Sequence, residues 1–365
     1  MKFLVNILRI FVGSLFVFSG LVKINDPVGF SFKLEEYFGP TVFDIDFLMP
    51  YTLVLAIIIV ITEVLLGLFL LIGFKPKHTI WIMLLMIIFF TFLTWYSAYY
   101  NKVTDCGCFG DAIPLTPWES FTKDVFLLIF ILILFFKIEM VKPIISLKNQ
   151  LIISSSALLI SCAIVYRVIE HLPIIDFRAY KIEANIIENM TIPEDAPRDI
   201  WKYDWKFIVD GKEKVVSTSG EYPSTNGEFV SVETELLEKG YEAPIYDFSM
   251  EINGQDFSKE LLNEQKLLMF VLYNLSKSNF DISEEMIKKS ESAVENGYKV
   301  IAITASGIDK QIEVKEKYGF EFDFYTCDET ALKTIIRSNP GVLEIKSGTI
   351  VNKWHYNDFN KIRFD

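Results

Sequence analysis

The stretch TIWIMLLMIIFFTFLTWYSAYY, residues 79–100, contains no acidic or basic side chain. A helix needs about 20 mostly apolar residues to cross a bilayer, and this stretch is long enough. It therefore predicts a membrane-spanning helix. Working outward from it, we find further apolar runs at about Phe3–Val22, Tyr51–Phe74 and Asn149–Tyr166. Another run is uncharged only over Val125–Phe136, and it reaches spanning length if it begins near Trp118 and carries Lys123 and Asp124 in its outer turns. Together these runs predict a bundle of five transmembrane helices.

Charge is distributed unevenly along the 365 residues, whose formal net charge is −12. Up to Leu172 there are 12 basic and 12 acidic residues, which leaves 23 of the 35 basic and 35 of the 47 acidic residues to the rest. The first part thus predicts a membrane domain and the second an acidic soluble module. This division excludes a single globular domain, a nucleic-acid binder and a disordered chain.

Basic loops predict the orientation of the bundle. The loop Lys75–His78 and the loop that holds Lys137, Lys142 and Lys148 are short and positively charged. Such loops face the cytoplasm. An odd number of spans then places the N-terminus in the cytoplasm and everything after about Leu172 on the outer side. In a bacterium with two membranes, this predicts an inner-membrane protein with a periplasmic module.

A carboxylate, Glu63, lies near the middle of the second apolar run. An unpaired charge at that depth costs about 2.5 kcal/mol or more, so Glu63 must be partnered or protonated. Arg9 and Lys23 of the first helix are the nearest candidates in the sequence. Two interpretations stay open: a structural ion pair between the first two helices, or a group that handles protons or polarises a quinone.

The segment Asp105-Cys106-Gly107-Cys108-Phe109-Gly110-Asp111 lies in the loop between the third and fourth runs. Glycine tolerates the backbone angles that a ring closed by two nearly adjacent thiols demands, and strain makes such a bond oxidising. A redox pair, a static loop disulfide, a metal site and idle thiols all remain open. A metal would need further Cys or His ligands, and none lies nearby in the sequence.

The charges beside this segment affect how readily a thiolate forms. Lys102 is the nearest cation in the sequence, while the flanking Asp105 and Asp111 oppose a thiolate.

The N-terminal part resembles the DoxX family and its relative MauE, the methylamine-utilisation membrane protein. The resemblance covers roughly Met1–Val141 and rests on the Cys-Gly-Cys-Phe-Gly segment together with these weaker positions: Arg9, Gly13, Phe18-Ser19-Gly20, Lys23, Pro27, Glu63, Gly67 and Gly73. It implies a four-helix membrane bundle linked to quinone-coupled sulfur oxidation or to disulfide formation. No cofactor is certain from it, and a quinone is the one that it suggests.

The last part of the chain alternates predicted strands and helices and ends on a hairpin, which predicts a mixed α/β sheet. Over about Gly240–Asp365 it resembles the thioredoxin fold, because Asn339-Pro340-Gly341 precedes an apolar strand where that fold places a cis-proline. An ordinary trans Pro340 remains the alternative. The family's Cys-x-x-Cys is missing, since Asn274–Asp281 contains no cysteine.

The predicted fold is therefore an α-helical membrane bundle followed by a soluble α/β thioredoxin-like domain. We expect a four-helix core at 1–143, a fifth transmembrane helix at 149–172, a linker and small β subdomain at 173–239, and a thioredoxin-like domain at 240–365.

The predicted function is thiol–disulfide or quinone-linked redox chemistry in the cell envelope. Cys106 and Cys108 would be the exchanging pair, helped by the intramembrane charges Glu63, Arg9 and Lys23. Gly107 and Gly110 would shape the loop. The alternative is a non-enzymatic membrane-anchored scaffold whose periplasmic module binds a protein client. The expected partners are the lipid bilayer and such a client, with no nucleic acid and no metal.

Overall fold

The structure, a computed structural model, describes residues 1–103, 107 and 109–364. Its N-terminal half is a helical bundle. The helices are α1 (Lys2–Asn25), α2 (Pro27–Phe38), α3 (Thr52–Ile72), α4 (Pro76–Tyr100), α5 (Pro117–Phe136) and α6 (Leu147–Glu170). The segments Lys2–Asn25, Asp46–Ile72, Pro76–Tyr100 and Leu147–Glu170 are long and apolar enough to cross a membrane. These helices confirm a multi-pass membrane protein.

Helix α5 is 20 residues long and packs against α4. It begins with a capping box, in which the Thr116 hydroxyl accepts from the Glu119 N–H and the Glu119 carboxylate accepts from the Thr116 N–H. Unlike the other long helices it carries three charged residues in its first half, Glu119, Lys123 and Asp124.

The segment between α1 and α3 has no apolar run of spanning length, and it contains the shorter helix α2. Asp26 caps this helix by accepting a hydrogen bond from the Gly29 N–H at 2.8 Å, and Pro27 occupies the first helical position. Phe30 and Leu34 of α2 are buried against α3 and its neighbours. An Asp-Pro start is a recognisable signal for a helix, and the sequence analysis missed it.

Glycines let α1 and α3 approach closely. A Cβ atom built on Gly67 of α3 would lie 2.7 Å from the Gly13 carbonyl oxygen and from the Val17 nitrogen of α1. A Cβ on Gly20 would lie 2.5 Å from the Val64 side chain. Contacts between small residues of this kind are how helices associate within a membrane, where the hydrophobic effect does not drive them together.

Beyond α6 lies α7 (Ile186–Met190), followed by an antiparallel three-stranded sheet. Its strands β1 (Ile200–Val209), β2 (Lys212–Thr218) and β3 (Glu228–Glu238) have the order β2-β1-β3. The hairpin between β1 and β2 turns at Asp210 and Gly211, which both have positive φ, the conformation that an Asp-Gly hairpin turn favours.

The C-terminal domain is built on a seven-stranded sheet of order β10-β9-β6-β7-β8-β4-β5. Its elements are β4 (Glu251–Ile252), β5 (Gln255–Asp256), α8 (Ser258–Leu262), β6 (Leu267–Val271), α9 (Ser283–Glu295), β7 (Lys299–Thr304), α10 (Ile308–Tyr318), β8 (Asp323–Thr326), α11 (Glu329–Ile335), β9 (Gly341–Lys346) and β10 (Thr349–His355).

The central strand β6 pairs in parallel with β7 and antiparallel with β9. Leu267 and Met269 belong to the core on one face of the sheet, and Leu268 and Phe270 to the core on the other, so the strand is covered on both sides. The peptide between Asn339 and Pro340 is cis and lies directly before β9. This strand order and the position of the cis-proline confirm the expected thioredoxin-like α/β fold.

Candidate functional site at the junction of bundle and module

A buried ion pair joins α1 and α3. The Lys23 ammonium lies 2.8 Å from the Glu63 carboxylate, and the two side chains are only 4% and 6% exposed. The ammonium also lies 5.4 Å from the centre of the Phe30 ring and 5.2 Å from that of Phe90. Of the two partners predicted for Glu63, Lys23 is therefore the one that the fold brings to it.

Arg9 lies apart from this ion pair. Its guanidinium donates to the carbonyls of Leu70 and Leu71 at 2.8 Å and to that of Lys142 at 2.9 Å. The last carbonyls of a helix have no partner within the helix, so Arg9 satisfies the end of α3 and ties it to the following loop. The structure thus does not bring Arg9 together with Glu63 and Lys23, and its contacts are those of a structural residue.

A second charged cluster faces the bundle interior from α5. The Lys123 ammonium lies 2.5 Å from the Asp124 carboxylate, which also accepts from the Thr94 hydroxyl at 3.1 Å. Asp124 is buried, and the Lys123 ammonium lies 5.2 Å from the centre of the Phe109 ring. The sequence analysis treated these charges as outer-turn residues. Their presence in an apolar helix was the signal that they face the interior.

Two small cavities meet beside Gly107. The first, of about 30 Å³, lies inside the bundle and is lined by both charged clusters. The second, of about 40 Å³, lies between the bundle and the soluble module. Lys23, Phe30 and Gly107 line both. Gly107 is therefore at the junction between the interior of the bundle and the module.

Gly107 and Gly110 have φ values of +63° and +51°, which favour glycine, and the Gly110 N–H donates to the Gly107 carbonyl at 3.1 Å. These two glycines therefore shape a turn. Cys106 and Cys108, together with Thr104 and Asp105, lie outside the described residues.

The soluble module contacts the bundle through Arg337, which follows α11. Its guanidinium donates to Asp26 at 2.8 Å and to Asp111 at 3.0 Å, and its side chain is only 6% exposed. Burial alone would raise the pKa of the Asp26 carboxyl, but the charges of Arg337 and Arg178 and the hydrogen bond from the Gly29 N–H together outweigh burial and hold that pKa below its ordinary value. The junction thus carries a nearly buried, charge-paired network.

Two further contacts lie beside Arg337. Lys333 of α11 pairs with Glu35 of α2 at 3.2 Å. The ring of Tyr273, just after β6, meets the Phe32 ring edge to face with centres 5.9 Å apart. The face of the module that carries the cis-proline loop and the end of β6 is therefore the face that packs on the bundle.

The polar groups of Asn339 in the cis-proline loop are hydrogen-bonded within the module. The Asn339 carbonyl accepts from the Asn279 N–H at 3.0 Å, its side-chain amide donates to the Asn274 carbonyl at 2.9 Å, and its side-chain oxygen accepts from Ser278 at 2.8 Å. The loop from Asn274 to Asn279, where the resemblance expected a dithiol, is thus bonded to the proline loop. These polar groups are satisfied without a ligand.

The second cavity is also lined by Arg178, which belongs to a buried charge cluster in the linker. Asp176 binds Arg178 and Lys353, each at 2.7 Å. Although burial opposes it, the two cations lower the pKa of Asp176 to about 2. Burial lowers the pKa of Lys353 to about 7, with the Arg178 charge acting in the same direction. This cluster fixes the linker to β10.

The two described cysteines do not approach the junction. Cys162 is exposed on α6, and Cys327 is buried in the core of the module. Burial raises the pKa of the Cys327 thiol to about 12, so it stays protonated and unreactive.

The quinone that the family resemblance suggested can be tested against the interior cavity. The Lys23 ammonium and the Phe30 and Phe90 rings suit a quinone carbonyl and ring. A volume of about 30 Å³, however, accommodates one or two waters and not an aromatic ring. The cavity therefore does not fit a quinone.

Comparison with known proteins supports the membrane half most directly. Residues 1–137 match the family model for the methylamine utilisation protein MauE. A solved structure of a thiol:disulfide interchange protein from Bacteroides sp. is similar at 10% identity with a TM-score of 0.26, over 32% of this chain and 82% of that one. No curated protein matches the chain. The resemblance of the N-terminal part to MauE is thus confirmed.

Proposed function

We propose that this multi-pass membrane protein performs thiol–disulfide exchange in the cell envelope, with Cys106 and Cys108 as the exchanging pair. The match of residues 1–137 to MauE and the membrane-spanning helices indicate a membrane protein with a redox- or disulfide-related role. In this proposal the N-terminus is cytoplasmic, the host membrane is the bacterial inner membrane and the module is periplasmic. The basic loop Lys75–His78 supports that orientation.

The position of Gly107 carries the proposal. This residue is bonded to both cysteines and lines both cavities, one reaching the buried Lys23–Glu63 pair and the other opening at the module. A Cβ on Gly107 would lie 3.3 Å from Cγ of Lys33, whose ammonium pairs with Glu36 at 3.7 Å. A nearby ammonium favours the thiolate, which is the nucleophile in exchange. In this proposal Lys33 joins Lys102 as a cation that favours the thiolate.

The reaction is an exchange with a client dithiol. A client thiolate attacks one sulfur of the Cys106–Cys108 disulfide, which breaks that bond and forms a mixed disulfide. The second client thiolate then attacks the client sulfur of the mixed disulfide. Two electrons pass to the Cys106/Cys108 pair, which becomes a dithiol, and the client gains a disulfide. In this proposal the ion pair of Lys23 and Glu63 holds α1 and α3 in register beneath the pair.

For the soluble module, considered by itself, the structure favours a scaffold role over thiol exchange. Its cis-proline loop is bonded to Asn274 and Asn279, and its face packs on the bundle. The module therefore has no dithiol in that loop and no free proline loop with which to exchange thiols itself. Under the scaffold alternative the whole protein docks a client, and the Cys106–Cys108 bond only staples the loop.

Serine substitution of both cysteines, Cys106→Ser with Cys108→Ser, distinguishes the exchange function from the scaffold function. In lipid nanodiscs, one equivalent of oxidised parent protein should convert about one equivalent of a peptide dithiol to the disulfide, because exchange is stoichiometric without a reoxidant. The double variant should convert none. A Cys162→Ser variant is the matched control and should behave as the parent. Equal peptide oxidation by the parent and the double variant would refute the exchange function.

A further inference from the structure

The three-stranded sheet of β1, β2 and β3 has one apolar face that remains open. Trp201 of β1 lies opposite Leu236 of β3. Trp205 lies opposite Val232 on the same face, because alternate residues of a strand share a face. Trp201, Val232 and Leu236 are exposed, and in the described part of the chain none of the hydrophobic core clusters contains a residue of this sheet. The apolar face is therefore open to solvent over these side chains.

The strand β3 forms one edge of this sheet. Its 11 residues pair with β1 alone among the described strands. An edge strand presents a row of unpaired backbone N–H and C=O groups, which proteins commonly protect with lysine, with proline or with a covering element. The other edge, β2, carries Lys212 and Lys214, whereas β3 contains neither lysine nor proline. The edge of β3 is therefore available for a further strand.

The edge of β3 is also acidic. The strand contains four glutamates and no basic residue. Within the described chain, only Glu233 of these four forms a salt bridge, with Lys206 of β1. Cross-strand pairing places Glu233 and Glu235 on the face opposite to that of Trp205. Acidic and apolar side chains of β3 thus point to different faces of the sheet.

This charge pattern disfavours a second copy of β3 as the partner. In an antiparallel pair of two β3 strands centred on Glu233, that glutamate faces its own counterpart. In a pair centred on Thr234, Glu233 faces Glu235. Like charges directly opposite each other are destabilising, whereas opposite charges stabilise a strand pair. The complementary strand therefore alternates basic residues, opposite the glutamates, with apolar residues, opposite Val232 and Leu236.

We propose that the edge of β3 is a docking site for an extended cationic segment of another protein, which adds to the sheet as a fourth strand. Backbone hydrogen bonds supply affinity in such complexes, and the alternating side chains supply specificity. This docking site is separate from the proposed exchange function, because none of its residues belongs to the bundle. It gives the small β subdomain a role in binding a partner.

Fluorescence anisotropy with labelled peptides, on full-length protein in nanodiscs, tests this inference. The peptides have 11 residues, the length of β3. A peptide of alternating lysine and valine should bind saturably. A peptide of alternating glutamate and valine should bind about tenfold more weakly or less, because its carboxylates face those of β3. The lysine–valine peptide with methylated backbone amides should lose about tenfold as well, because it cannot donate hydrogen bonds to the edge.

Charge reversal in the protein gives the complementary result. Glu233→Lys with Glu235→Lys should weaken binding of the lysine–valine peptide about tenfold and strengthen binding of the glutamate–valine peptide. Glu291→Lys with Glu295→Lys is the matched control, because it makes the same change of charge at two exposed glutamates of α9. This control should bind within about twofold of the parent. If the reversed sheet does not fold, Glu233→Gln with Glu235→Gln carries the test, with a loss of about threefold.

Folded parent protein that does not bind the lysine–valine peptide would overturn the inference, as would equal binding of the methylated peptide. Equal losses in the β3 and α9 charge reversals would reduce the effect to the net charge of the module and would also overturn it. Dimers that form through β3, or phosphatidylcholine vesicles that displace the bound peptide, would assign this surface to a second copy or to lipid instead. None of these outcomes bears on peptide oxidation, which tests the exchange function separately.

Discussion

Glu63→Gln is expected to lower the free energy of unfolding of the bundle by about 3–5 kcal/mol, because it leaves a buried ammonium without its counter-charge. Lys23 and Glu63 are 4% and 6% exposed, and their charged atoms are 2.8 Å apart. The loss should appear as a lower midpoint in denaturant unfolding of the purified protein in detergent. The double variant Lys23→Met/Glu63→Leu should recover most of the loss, since a well-packed apolar pair removes the buried charges altogether.

The matched control for this prediction is Glu139→Gln, which makes the same chemical change at an exposed glutamate between α5 and α6. It should change the free energy of unfolding by about 0.5 kcal/mol or less. If Glu63→Gln unfolded at the parent's midpoint, the ion pair would not stabilise the contact between α1 and α3. Peptide oxidation measured on the folded variants then shows whether the pair also affects the exchange step.

The second large loss of stability is expected from Gly67→Ala. The new methyl group would lie 2.7 Å from two backbone atoms of α1 and 2.9 Å from the Phe16 Cβ, and backbone atoms cannot move aside as a flexible side chain can. The two helices must therefore separate, and we expect a loss of about 2–3 kcal/mol, in the range of overpacked cores. Denaturant unfolding in detergent measures this loss.

Gly307→Ala serves as the control for this substitution. No atom lies within 4 Å of a Cβ at Gly307, and its backbone has an extended conformation that alanine adopts readily. The control should cost about 1 kcal/mol or less, the range for a changed helix cap. Equal effects of Gly67→Ala and Gly307→Ala would contradict the close approach of α1 and α3.

Local sequence signals predicted much of the fold. The uncharged run at 79–100 lies within α4, the Thr-x-x-Glu pattern at Thr116 is the sequence signature of the capping box that starts α5, and Asp210-Gly211 is a hairpin signature that joins β1 and β2. Each of these signals acts over a few residues. Side-chain periodicity and backbone preference are therefore sufficient to predict the local structure that each of them forms. The cis peptide before Pro340 was predicted from the resemblance to a known fold and not from local chemistry.

The candidate site was predictable only in part. Glu63 required a partner, and Lys23 was one of two candidates, but helix register alone could not choose between it and Arg9. The contact between Arg337 and Asp111 spans 226 residues of chain, and no periodicity relates residues so far apart. The docking of the module on α2 could likewise not be predicted from the sequence, because it depends on how the bundle and the module pack together.

The central claim is that a reactive cysteine pair lies at the outer rim of the bundle. Thiol labelling of intact cells with a membrane-impermeant maleimide, before and after mild reduction, tests this claim most directly. We expect no labelling of Cys106 and Cys108 before reduction and labelling of both afterwards, in a Cys162→Ser background. Labelling of the pair before reduction, or labelling only after the inner membrane is permeabilised, would contradict the account.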